Sequence, residues 1–182
     1  MPSEREDRAA GPRGLVGANN FPLDVLPTLM LMLSKEETQK LAETYAGQRF
    51  LCSESCLMAL AKCQGVESPI IPRIATGFGA GVGRSGEICG AVTGAVMGLS
   101  LRYGRDRVNP INDRRPYWYA TELLKRFNVE HGKLRCPALL GLDMAKPEEC
   151  QEYNRKNLWL HNCTRYIISA TGIAWDIIEE NG

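Results

Sequence analysis

The chain has 182 residues, a net charge of +1 and 44% hydrophobic residues. This charge gives no overall field that would attract nucleic acid or an anionic membrane surface, and no apolar run approaches the roughly 20 residues that cross a bilayer. We therefore predict a protein without a membrane span and without a nucleic-acid partner. Residues 1–20 are polar and mixed in charge, which predicts a flexible tail, and residues 21–182 are predicted to form a single domain.

The N-terminal half of this domain is predicted to be helical. Ser34 and Glu37 form a capping box that opens a helix through Leu41 and Tyr45. The apolar stretch before it, at 23–33, is predicted to form a short helix. Further helices are predicted over 53–63 and 86–103, separated by a Gly- and Pro-rich connection at 65–84.

The C-terminal half is predicted to be helical as well. Asp113 caps a helix with Pro116 in its first turn and with Leu123, Leu124 and Phe127 on its apolar face. Three more helices are predicted to begin near Cys136, to run from Pro147 through Glu152, and to cover 162–180 with Cys163, Ile167, Ala170, Ala174 and Ile177 on one side. No segment shows the alternation of a strand. The predicted fold class is all-α, a compact multi-helix array.

The segment 85-SGEICGAVTGAVMGLS-100 is unusual for a helix. Gly90, Gly94 and Gly98 recur every fourth residue, although an interior glycine costs about 1 kcal/mol relative to alanine. Such a stripe lets another backbone approach closely, either from this chain or from a second copy. Cys89 lies near the helix start, where the helix dipole and a neighbouring arginine favour its thiolate. The alternative is a small buried side chain.

Two other patterns have simpler explanations. The motif Gly81-x-Gly83-x-x-Gly86 has the spacing of the dinucleotide fingerprint, but the prolines before it argue against the preceding strand that such a site requires. The segment 102–126 combines basic and aromatic residues, as single-strand binders do. Its acidic residues dilute the charge, and packing of the helix explains Tyr117 and Trp118.

Seven cysteines are many for a chain whose N-terminus lacks the apolar core of a secretory signal. We predict a cytoplasmic protein with reduced thiols, in which the cysteines serve metal binding, catalysis or packing. The sequence contains no CxxC pair and no CxxCH haem motif, so a metal site must be assembled from separate helices. His131 and His161 each precede a cysteine by a few residues. A mixed Cys/His site and two surface imidazoles are the alternatives.

Four segments of the chain together resemble one protein family. They are 42-AETYAGQRFLCSESCLMALA-61, 74-IATGFGAGVGRSGEICGAVTGAVMGLSLRYG-104, 121-TELLKRFNVEHGKLRCPALLGLD-143 and 162-NCTRYIISATGIAWDII-178. Their order and the central Cys-Gly-Ala-x-x-Gly block are similar to those of the redox-active proteins named for the pattern C…GCAxxG…C…C. The resemblance covers roughly residues 35–180. It extends to the iron–sulfur domain of split-Soret cytochromes, whose haem motifs this chain lacks.

The resemblance implies an iron–sulfur site without haem. The family's four cysteines fall on Cys52, Cys89, Cys136 and Cys163. Cys150 is an alternative fourth residue, and Cys56 and Cys63 are additional cysteines of this chain. Four thiolates are the standard complement of a [2Fe–2S] or a [4Fe–4S] cluster. Predicted helix starts at Cys52, Cys89 and Cys163 suit an anionic cluster, because they offer free N–H groups.

From these observations we predict a redox or electron-transfer protein that binds an iron–sulfur cluster and works with a redox partner protein. The resemblance also implies a homodimer. Two other functions remain open. One is a thiol–disulfide oxidoreductase that uses Cys89 without metal, and the other is a structural zinc-binding module.

Overall fold

The computed structural model of the protein describes residues 31, 33–108 and 115–182. These residues form eight α-helices and, in the same ranges, no strand, which confirms the predicted all-α array. The helices are α1 (Lys35–Gly47), α2 (Cys52–Cys63), α3 (Gly79–Val82), α4 (Gly90–Tyr103), α5 (Arg115–His131), α6 (Cys136–Leu140), α7 (Pro147–Arg155) and α8 (Thr164–Glu180). The predicted tail, most of the predicted helix at 23–33 and the predicted cap Asp113 lie outside the described residues.

Two irregular helical segments connect the α-helices. A 3₁₀ helix spans Arg73–Phe78 and leads into α3, and a π-helical turn spans Trp159–Cys163 and leads into α8. The helices α5 and α8 have 17 residues each. Over the part of the chain that the structure describes, no helix combines the length and the apolar composition needed to cross a bilayer.

The first helix begins where its capping box predicts. Ser34 Oγ accepts a hydrogen bond from the Glu37 backbone N–H (3.2 Å), and the Glu37 carboxylate accepts one from the Ser34 backbone N–H (2.8 Å). Such bonds satisfy N–H groups that a helix start leaves unpaired. The helix then packs along α8, where Lys35 and Asp176 form an ion pair at 2.6 Å.

Helix α2 lies at the centre of the fold, in contact with α1, α4 and α8. It is buried along almost its whole length because these helices surround it. The largest side chains of the core are Leu57, Leu60, Val92, Leu99, Leu123, Phe127, Ile167, Ile177 and Ile178. They include Leu123 and Phe127 of the predicted α5 face and Ile167 and Ile177 of the predicted α8 face. Ala170 and Ala174 are buried as well and Leu124 packs against the core, so both predicted faces point inward.

The glycine stripe of α4 packs against α2 of the same chain. A Cβ atom on Gly94 would lie 2.8 Å from the Ser53 Cα atom, and one on Gly98 would lie 2.7 Å from the Leu60 Cβ atom. Packed carbon atoms are normally about 3.5–4.0 Å apart, so only glycine permits this approach. The sequence left open whether a helix of this chain or of a second copy packs on the stripe. In the structure, α2 of the same chain does.

Helix α4 begins at Gly90, so the predicted start at Gly86 was wrong. Gly86 has a φ of 77°, which lies outside the right-handed helical region. The residues that follow it are extended, and Ile88 pairs with Arg135 in an isolated antiparallel bridge. A contact with the segment before α6 therefore holds these residues out of the helix.

The aromatic pair near the start of α5 is not packed as predicted. Tyr117 and Trp118 are 64% and 48% exposed. The next residue, Tyr119, stacks on Tyr103 of α4 with ring centroids 3.6 Å apart. The prediction was wrong because α5 turns Tyr119, rather than the preceding pair, toward α4.

Candidate functional site

Cys52 is the first residue of α2, and hydrogen bonds hold this end of the helix in place. The Glu54 carboxylate accepts hydrogen bonds from the Leu51 backbone N–H (2.8 Å) and from the Thr76 hydroxyl (2.6 Å). Thr76 belongs to the 3₁₀ helix. The carboxylate therefore fixes Cys52 relative to the segment that leads into α3.

Cys89 and Cys136 are brought together by the antiparallel bridge. The Cys89 backbone N–H donates to the Leu134 carbonyl (2.8 Å), and the Cys136 backbone N–H donates to the Glu87 carbonyl (2.9 Å). Cys89 is the N-cap of α4, and Cys136 is the first residue of α6. Two cysteines that are distant in sequence thus enter one site through backbone pairing.

Residues 80–84 form a run of left-handed backbone beside these cysteines. Their φ angles lie between 53° and 74°, and this conformation costs a residue other than glycine roughly 1–2 kcal/mol. A Cβ atom on Gly81 would lie 2.7 Å from the Cys136 Cβ atom, and the Ala80 backbone N–H lowers the pKa of the Cys52 thiol. The glycine spacing that matches the dinucleotide fingerprint lies in this turn, which follows a 3₁₀ helix rather than a strand.

Cys163 is the last residue of the π-helical turn that precedes α8. Trp159 begins this turn, and its indole N–H donates to the Ala46 carbonyl (3.0 Å). The Thr164 hydroxyl donates to the Trp159 carbonyl (3.0 Å). Helical backbone continues through Cys163, so the prediction of a free helix start at this cysteine was wrong. Single π turns are frequent at functional sites.

The four cysteines singled out from the resemblance line one cavity of about 470 Å³. Cys52, Cys89 and Cys136 are 6–7% exposed, and Cys163 is half-buried. Each of the six pairs among these thiols is close enough for an electrostatic interaction. The structure thus gathers thiols from α2, α4, α6 and the π-helical turn around one space.

The rim of this cavity is basic and polar. Arg49 and Arg84 line it, both are exposed, and neither forms an ion pair with another described residue. Asn154 and Asn157 add side-chain amides. Arg49, Arg84 and Asn157 have φ angles of 71°, 67° and 49°. Strained backbone of this kind tends to gather at functional sites, where the surrounding structure enforces it.

Burial raises the pKa of all four cavity thiols and is the largest cause at each of them. The pKa values of Cys136 and Cys163 are raised to about 12. At Cys89 the other three thiols raise the pKa further, although the Ala91 backbone N–H lowers it. Of the two interpretations that the sequence left open for Cys89, burial therefore favours the small buried side chain for the free thiol, because the cost of burying a charge exceeds the stabilisation by the dipole.

The other three cysteines lie outside this cavity. Cys56 and Cys63 are buried, and each thiol donates to a backbone carbonyl, at 3.6 Å and 3.7 Å. They contribute to packing. Cys150 is half-buried in a neighbouring cavity. Of the two cysteines that the sequence left open as the fourth, Cys163 is the one that shares the space with the other three.

Neither histidine lines the cavity. His161 is exposed. The His131 side chain is 7% exposed and its Nε2 lies 2.8 Å from Ser169 Oγ. The Ser169 hydroxyl donates to the Glu130 carboxylate at 2.9 Å. His131 is therefore a partly buried residue with a satisfied ring nitrogen, and His161 is a surface imidazole.

We expect His131 to make stability depend on pH. Burial is the largest cause that lowers its pKa; Glu130 raises this pKa and Arg165 lowers it. Below the free-histidine pKa of about 6.5, the unfolded chain then binds more protons than the folded one. The free energy of unfolding therefore has its full value above this pH. It decreases as the pH falls through the pKa of His131 in the folded protein. Urea unfolding at pH 7 and pH 5.5 should show a larger decrease for the wild type than for His131→Gln.

The matched control for this experiment is His161→Gln, which changes an exposed imidazole. It should keep the wild-type dependence on pH. An equal decrease in the wild type and in His131→Gln would contradict the assignment of this dependence to His131.

The cavity also contains residues that the sequence analysis missed. Tyr153 places its hydroxyl oxygen 3.4 Å from Cys163 Sγ. A sequence signal for it exists, because Tyr153 is the single aromatic residue in the polar helix α7. Arg49 carries no such signal, since arginines on connecting segments are ordinarily solvated. Arg84 was not missed, because it is the arginine that the sequence analysis placed beside Cys89.

The cavity thiols do not converge on a single point. Among the residues with described positions, no group of three or more His, Cys, Asp and Glu side chains is arranged to hold one metal ion. A single zinc ion requires sulfur atoms about 2.3 Å from the metal. An iron–sulfur cluster distributes four thiolates over two or more iron atoms.

A family model matches most of the chain. It covers residues 50–177 and is described as "Putative redox-active protein (C_GCAxxG_C_C)". No curated protein and no solved structure matches the chain. The matched region contains the four cavity cysteines and the block Cys-Gly-Ala-Val-Thr-Gly that begins at Cys89. The chain therefore belongs to the C_GCAxxG_C_C family.

Proposed function

We propose that the protein is a redox protein that holds an iron–sulfur cluster through Cys52, Cys89, Cys136 and Cys163. The observation that carries this proposal is the shared cavity, in which these four thiols from separate segments interact pairwise. Four thiolates are the ligands that such clusters ordinarily take. The family name supports a redox role.

The walls of the cavity suit a group that fills the space closely. A Cβ atom on Gly90 would overlap the Cys52 sulfur and would lie 3.1 Å from the Gly79 Cα atom. Gly81 is equally restricted by Cys136. The glycines on both sides of the thiols therefore keep the space between the cysteines free of side chains.

The polar groups around the thiols suit an anionic cluster. The backbone N–H groups of Ala80 and Ala91 lower the pKa of Cys52 and Cys89, because a nearby N–H group stabilises charge on sulfur. The exposed residues Arg49 and Arg84 also line the cavity. Binding of metal to the thiols also removes the protons that burial otherwise retains on them.

When bound, an iron–sulfur cluster supplies reversible one-electron transfer. The residues of the chain would hold the cluster, limit its contact with water and adjust its potential through hydrogen bonds and charge. Electrons would pass to and from a redox partner protein. The cytoplasmic location, the homodimer and the relation to split-Soret cytochromes remain predictions.

The two other functions receive less support from the site. A thiol–disulfide enzyme needs an accessible thiolate, whereas Cys89 is buried and its pKa is raised well above the ordinary value. A structural zinc site needs ligands that meet at one ion, and the described residues contain no such group.

Anaerobic purification followed by assays of iron and acid-labile sulfide tests the proposal. We expect stoichiometric iron and sulfide, visible absorption that bleaches on reduction, and an EPR signal from the cluster. Reconstitution with ferrous iron and sulfide should give the same product. If neither preparation contains iron and sulfide, the proposal is wrong. Stoichiometric zinc without sulfide would instead favour the structural site.

A further inference from the structure

Helix α7 reaches the cysteine cavity through Tyr153, which contacts a thiol, and through Asn154. The helix buries no residue completely, and its first turn is held by local contacts, among them an ion pair between Lys146 and Glu149 at 2.7 Å. Tyr153 is its half-buried aromatic residue and lines the cavity. Its hydroxyl oxygen lies 3.4 Å from Cys163 Sγ. This contact connects an otherwise loosely packed helix to one of the four thiols.

The direction of this hydrogen bond follows from the chemistry of its two partners. Between a thiol and a phenol, either group can donate. A cysteine that binds metal is a thiolate and has no proton, so only the Tyr153 hydroxyl can then donate. An ordinary phenol, with a pKa near 10, keeps its proton at neutral pH.

A hydrogen bond to a ligand sulfur affects the two oxidation states of a cluster unequally. The donor withdraws electron density from the sulfur, and the reduced cluster carries one more negative charge than the oxidised cluster. The bond therefore stabilises the reduced state more. Hydrogen bonds to sulfur are among the factors that set cluster potentials.

We infer that Tyr153 is a positioning residue that donates a hydrogen bond to the Cys163 sulfur and thereby raises the reduction potential of the bound cluster. This inference rests on the proposed function. Among the four cavity thiols, Cys163 is the one whose sulfur lies within hydrogen-bond distance of a described side chain. Tyr153 is thus a side chain through which a substitution can change the potential without removing a ligand.

The test compares Tyr153→Phe with the wild type and with Tyr166→Phe. Tyr166 also lines the cavity, but its hydroxyl donates to the Leu139 carbonyl (3.0 Å) rather than to a sulfur. Iron and sulfide are measured first in all three proteins, and anaerobic redox titrations followed by EPR then give the potentials. We expect full cluster content throughout, a more negative potential in Tyr153→Phe, and an unchanged potential in Tyr166→Phe.

Electron–nuclear double resonance on the reduced proteins provides a second readout. The wild type and Tyr166→Phe should share one exchangeable proton coupling that Tyr153→Phe lacks, whereas the couplings of backbone N–H protons near the sulfurs should be the same in all three proteins. An unchanged potential in Tyr153→Phe, equal shifts in both variants, or loss of the cluster from Tyr153→Phe would overturn the inference. A wild type without iron and sulfide would instead overturn the proposed function.

Discussion

Replacing Cys89 with serine should reduce the iron and sulfide content of the protein to background. Cys89 is one of the four thiols around the cavity, and a serine hydroxyl is a much weaker ligand for iron than a thiolate. Losing an outer partner of a metal ligand typically costs about 10–100-fold in metal affinity, so losing a ligand should cost more. The measurement is iron and sulfide content after anaerobic reconstitution, together with the visible spectrum.

Two features distinguish this result from simple unfolding. Cys89 is the N-cap of α4, a position at which serine is among the favoured residues. The cluster-free Cys89→Ser variant should therefore be at least as stable to urea as the cluster-free wild type. Cys150→Ser is the matched control, because Cys150 lies in the neighbouring cavity. Full iron content in Cys89→Ser, or equal loss in Cys150→Ser, would refute the assigned ligand set.

Replacing Gly94 with alanine should lower the free energy of unfolding by about 2 kcal/mol. The new Cβ atom would lie 2.8 Å from the Ser53 Cα atom and 2.9 Å from the Ser53 carbonyl carbon. These are backbone atoms that cannot rotate away, so α2 and α4 must separate. Overpacking of this kind costs about 1–3 kcal/mol, and we expect the upper end of that range. Alanine recovers about 1 kcal/mol through its higher helix propensity.

Gly47→Ala is the matched control for this experiment. Gly47 is the last residue of α1, and a Cβ atom there would have no neighbour within 4 Å. This substitution should leave stability unchanged or raise it by up to about 1 kcal/mol. Urea unfolding of both cluster-free variants measures the difference. Equal stability of Gly94→Ala and Gly47→Ala would show that the two helices can accommodate the methyl group.

Features with a local cause could be predicted from the sequence. The capping box of Ser34 and Glu37 starts α1, and Pro147 occupies the first position of α7, as expected. Such signals depend on residues within a single helical turn. The apolar faces of α5 and α8 follow equally directly from the periodicity of their side chains.

The set of cavity cysteines could be predicted only in part. The order of the cysteine segments resembles that of a family, and this resemblance selected Cys52, Cys89 and Cys136. The fourth position stayed open between Cys150 and Cys163, because two cysteines near one another in sequence offer no local signal that separates them. The π-helical turn is what places Cys163 in the cavity.

By itself, the sequence determined the helical class, most helix starts and the candidate cysteines. Only the tertiary structure decided where α4 begins, which helix covers its glycines, and how burial acts on the Cys89 thiol. The Cys89 N–H pairs with the Leu134 carbonyl, and Gly94 meets Ser53. These contacts join residues far apart in the chain. Desolvation of Cys89 likewise depends on every segment that surrounds it, so no local pattern could reveal it.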